Sequence, residues 1–84
     1  MSHSQYVVSY NNATLVIAIQ NGEVTMMKVS GAFEEMLETP SGRLKHDVRK
    51  LLKSIQQYES LDTYNKVLEK ISIKNPQLYA LIVE

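Results

Sequence analysis

Apolar residues come in short runs rich in β-branched side chains in the first third of the chain, and at every third or fourth position after that. Runs of the first kind belong to strands. A period near 3.6 belongs to amphipathic helices. The pattern changes near Ser30, which predicts an α+β fold with the strands first. Tyr6-Val7-Val8-Ser9-Tyr10 is aromatic and β-branched and reads as a strand. Asn11-Asn12-Ala13 reads as a turn, and Thr14 to Gln20 as the strongest strand. Asn21-Gly22 follows, a pair suited to a type I′ hairpin turn because both central residues must take positive φ. Glu23 to Val29 is the return strand.

A two-residue turn sets the register. Gln20 is expected opposite Glu23, Ile19 opposite Val24, Ala18 opposite Thr25, Ile17 opposite Met26 and Val16 opposite Met27. The core face of this meander is then Leu15, Ile17, Ile19, Val24 and Met26. The other face is mixed, with Val16, Ala18, Met27 and Val29 beside Thr14, Thr25, Gln20 and Glu23.

Two or three helices are expected to cover that core face. Ser30 can cap a short helix over 32–38, with Glu34 and Glu35 early in it, where the helix dipole favours acids. Thr39-Pro40 ends it. A second helix over 42–58 carries Leu44, Val48, Leu51, Leu52 and Ile55 as an unbroken stripe. Ser60 caps a third over 61–72, with Leu61, Tyr64, Val67, Leu68 and Ile71 on one side. The short break between them predicts neighbours lying antiparallel. Residues 76–83 fit a helix, because Asn75 at the N-cap and Pro76 at the first position are start signals. The run from Leu78 to Val83 also fits a buried strand. Either way so apolar a tail has to dock on its own domain or on a partner chain.

Composition narrows what the protein can be. It has 84 residues, enough for one domain, 1–84, of ordinary globular character, with 44% apolar and 21% charged residues. Nine Lys and Arg balance nine Asp and Glu, which argues against a protein that coats DNA without regard to sequence. There is no Cys, so disulfides, thiolate zinc sites and thiol catalysis are excluded. So small a chain has a thin stability margin unless its core is dense or it self-associates, and a homo-oligomer is expected. The start, Met1 to Gln5, has no signal-peptide pattern, and no apolar run is long enough to span a bilayer. The expected location is the cytoplasm, away from membranes.

Candidate chemistry is sparse. His3 lies in a polar N-terminus expected to fray. His46 has no second histidine at helical spacing and shares no face with Asp47, so no metal site is expected. Glu34, Glu35 and Glu38 sit where a helix start accounts for them. No nucleophile elbow, phosphate-binding glycine loop or dinucleotide motif occurs, and neither an enzyme nor a cofactor is expected.

One feature has functional direction. Arg43, Lys45, His46, Arg49, Lys50 and Lys53 fall within eleven residues of the second helix, against a single Asp47. Arg43, His46, Lys50 and Lys53 share an arc of about 80° opposite the apolar stripe, flanked by Arg49. Such a ridge suits a phosphate-bearing ligand or an acidic protein surface, and it equally suits a solvated helix face. Tyr58 and Tyr64 flank the following turn and are the candidates for stacking. Two function classes follow. The first is a small non-catalytic interaction or ligand-sequestering protein acting as a homo-oligomer, of the kind common among phage and mobile-element accessory inhibitors. The second is a nucleic-acid- or nucleotide-binding protein using the basic face.

Overall fold

A computed structural model describes residues 3–84. Three strands, β1 (His3–Tyr10), β2 (Ala13–Gln20) and β3 (Glu23–Val29), form an antiparallel sheet in the order β1-β2-β3. Four helices follow: α1 (Gly31–Glu38), α2 (Gly42–Tyr58), α3 (Leu61–Lys74) and α4 (Pro76–Val83). The architecture is the expected meander covered by helices. The open choice at the C-terminus resolves as helix. The first strand begins earlier than the aromatic run, so His3 pairs with Gln20 instead of fraying.

Each helix starts at a side-chain cap. Ser30, Ser41, Ser60 and Asn75 accept hydrogen bonds from the backbone N–H groups of Phe33, Leu44, Thr63 and Leu78. These bonds satisfy donors that the helix itself leaves orphaned. Ser30 also ties α1 to the sheet. Its Oγ accepts from Thr14 N at 2.9 Å, and its N–H donates to the Thr14 carbonyl at 3.0 Å.

The β2–β3 register departs from expectation. Asn21 and Gly22 both have positive φ, 52° and 79°, as a type I′ turn requires. Gln20 and Ile19 then pair with Glu23 and Val24 as expected. Beyond them a bulge intervenes, and Ala18 faces Met26, Ile17 faces Met27, Val16 faces Lys28 and Leu15 faces Val29. Thr25 is the extra residue, and its Oγ1 donates to the Ala18 carbonyl at 3.3 Å. One inserted residue reverses the alternation. Met27 and Val29 therefore pack against the core beside Val24, and Met26 is exposed on the outer face.

The core joins Leu15, Ile17 and Ile19 of β2 to Phe33 and Leu37 of α1. Val8 of β1 and Ala13 of β2, Leu44, Val48, Leu51, Leu52 and Ile55 of α2, Val67 and Ile71 of α3, and Leu78 and Leu81 of α4 complete it. The apolar tail thus docks on its own chain. On α3 the buried face is Thr63, Val67 and Ile71, and Leu61 lies exposed at the first helical position. Helix α3 packs more closely on α4 than on α2. Among the described residues no helix is long and apolar enough to cross a membrane.

Candidate functional site

Helix α2 is anchored to β1 by two tyrosines. The Tyr10 hydroxyl donates to Asp47 near the start of α2, and the Tyr6 hydroxyl donates to Glu59 just past its end at 2.7 Å. The helix therefore runs antiparallel to β1. Burial, reinforced by the neighbouring carboxylate, raises each phenol from 10.0 to about 12. Asp47 also faces Arg43 at 3.8 Å, one helical turn away. These contacts commit Asp47, the one acid on the ridge, to its β1 side.

The opposite flank of α2 is different. Gly42, Lys45, His46, Arg49, Lys50 and Lys53 line an open depression of about 730 Å³. No carboxylate lines it. Lys45, His46, Lys50 and Lys53 have no ion-pair partner among the described residues. Lys45 is half-buried, whereas His46, Arg49, Lys50 and Lys53 are exposed. The core stripe fixes this orientation, because Leu44, Val48, Leu51, Leu52 and Ile55 point the other way into the cluster.

Arg49 has a second role, away from the ridge. Its Nη2 donates to the carbonyls of Leu81 at 3.2 Å and Glu84 at 3.1 Å. A helix end leaves such carbonyls unpaired, and a guanidinium complements the negative end of its dipole. Arg49 is thus both a wall of the depression and a clamp on the end of α4. No local pattern signals this, since its partners lie more than thirty residues away.

Two other depressions are less suited to an anion. One, of about 330 Å³ between β3 and α3, contains Lys66, Lys70 and Lys74 but also Glu23 and Glu69. Lys66 there is held by Glu23 at 2.6 Å and Asp62 at 3.2 Å. These bonds, the one to Glu23 foremost, raise its pKa. The other, of about 380 Å³, lies between β1 and the Arg43–Asp47–Lys50 side of α2.

The proposed stacking pair is split. Tyr58 is exposed at 73%, while Tyr64 is half-buried and packs against the core. Neither lines the basic depression. Among the described residues no group of three or more His, Asp or Glu side chains is placed to hold a metal ion. No family model, curated protein or solved structure matches this chain.

Proposed function

We propose that the protein is a non-catalytic binding protein that captures a small polyphosphate-bearing ligand on the outer flank of α2. The observation that carries this reading is the carboxylate-free depression lined by Lys45, His46, Arg49, Lys50 and Lys53. Clustered cations without local counter-charges create a positive potential in an otherwise neutral molecule, and that potential attracts anions. The lysines offer point charges to phosphate oxygens, and Arg49, whose Nη2 is held at the end of α4, adds its positive charge. The ligand is recognised chiefly through its phosphates, because no Phe, Tyr or Trp side chain lines the site and His46 is its single ring. A charge-neutral chain with one short ridge also favours a compact anion over a long nucleic acid.

The test is calorimetric titration of inorganic triphosphate and of a nucleoside triphosphate into the full chain at low salt. Both are expected to bind, with affinity that falls steeply as salt is added. Lys50→Glu combined with Lys53→Glu should abolish the binding and leave the melting temperature nearly unchanged, since both side chains are exposed. Binding that survives the double reversal, or no binding by the parent, overturns the reading.

A further inference from the structure

We propose that the free edge of β1 pairs antiparallel with β1 of a second copy of this chain, about a two-fold axis near Val7, to form one continuous six-stranded sheet. Thr14 directs both its N–H and its carbonyl to Ser30, on the β3 side of β2. Backbone direction alternates along a strand, so Ala13, Leu15, Ile17 and Ile19 direct theirs toward β1. Their partners there are Tyr10, Val8, Tyr6 and Ser4. The backbone groups of Gln5, Val7 and Ser9 therefore point outward, along the open edge of the sheet.

The two edges are not alike. β3 has a bulge, the charged residues Glu23 and Lys28, and the Lys66 bridge across its first residue. Features of this kind blunt an edge against pairing. From Ser4 to Tyr10, β1 has no charged residue, no proline and an unbroken register. Val7 is 52% exposed on it. An edge so regular and uncharged is a template for another strand.

The occupant is a second copy because the neighbouring surface complements itself. A closed two-fold contact must present the same patch from both sides. Here α2 runs antiparallel to β1, so the axis sets the Arg43 end of one α2 against the Tyr58–Glu59 end of the other. A guanidinium then approaches an exposed aromatic ring and a carboxylate instead of a like charge. Strand pairing alone falls short of the roughly 1,200 Å² that a stable interface buries, which is why α2 has to take part. The groove between β1 and α2, lined by Val7, Ser9, Arg43, Lys50 and Ser54, receives the partner's side chains. Val7 and Val16 of the outer face continue into the same row of the second sheet. Lys50 lines both this groove and the anion depression, but Lys45, His46, Arg49 and Lys53 line only the depression, and Val7, where the pairing is tested, lines only the groove.

Sedimentation equilibrium of the full chain, with and without Val7→Lys, tests the proposal. The parent should be a dimer, and Val7→Lys should weaken it at least about tenfold while the circular dichroism spectrum stays the same. Hydrogen exchange on the parent gives a reading that does not depend on the variant folding. The amides of Gln5, Val7 and Ser9 should exchange fast in dilute solution and slowly where the dimer forms. A monomer at every concentration overturns the pairing and leaves the edge to an extended segment of another protein. A dimer in which those three amides always exchange fast overturns it as well.

Discussion

Thr63 shows how one polar side chain joins the two halves of the chain. The residue is 2% exposed, and its hydroxyl accepts from Ser60 Oγ at 3.0 Å and donates to the Gly22 carbonyl at 2.8 Å. The start of α3 is thereby pinned to the β2–β3 turn. A Cβ on Gly22 would stand 3.2 Å from Thr63 Oγ1, on a backbone at φ +79°. Gly22→Val meets both obstacles, because a β-branched residue resists positive φ. It should destabilise the protein by about 2 kcal/mol, visible as a lower midpoint in urea denaturation. Tyr6 and Tyr10 make a second prediction at this scale. Their hydroxyls titrate near 12 in the folded chain against 10.0 ordinarily. The folded chain therefore holds these protons where the unfolded chain has released them. The associated stability is complete below pH 10 and is lost as the pH rises from 10 through 12. Denaturant midpoints should fall across that window, and Tyr6→Phe with Tyr10→Phe should flatten the fall.

At the scale of elements, the bulge between Ala18 and Ile19 decides which methionine is structural. Met27 packs against the core and Met26 is 39% exposed. Met27→Lys should cost on the order of 2–3 kcal/mol, since it brings an unpaired charge toward the core. Met26→Lys should stay within about 0.5 kcal/mol. Equal melting temperatures for the two variants would contradict the register. The first three helices were legible because their signals are local, whereas the apolar run of α4 fitted a strand as well. Ser30, Ser41, Ser60 and Asn75 stand where capping chemistry wants them, and the α2 stripe has only one way to face a core. The register was not, because a bulge is settled by what packs on the sheet rather than by the turn that starts it. A signal was nonetheless present. Met27 and Val29 bracket Lys28, an apolar–polar–apolar alternation that the unbroken register turns outward. Leu61 misled for a related reason, since the first turn of α3 buries Thr63 against the hairpin instead.

On the scale of the whole molecule, formal neutrality hides an uneven charge distribution. Acids at Glu23, Asp62, Asp47 and Glu59 are engaged by Lys66, Arg43 or tyrosine hydroxyls. The cations on the outer flank of α2 are left without acidic partners among the described residues. The ridge could be read from helical spacing alone, but its boundary could not. Which cations remain open depends on Asp47 turning toward Tyr10 and on Arg49 reaching the end of α4. The proposed ligand of this flank is a polyphosphate anion. Titrating inorganic triphosphate into isotopically labelled protein at low salt, with amide chemical shifts as the readout, tests it most directly. Saturable shifts are expected, concentrated in residues 42–53 and at the Leu81 and Glu84 end of α4. Shifts concentrated around Lys66, Lys70 and Lys74, or no saturable shifts at all, would contradict it.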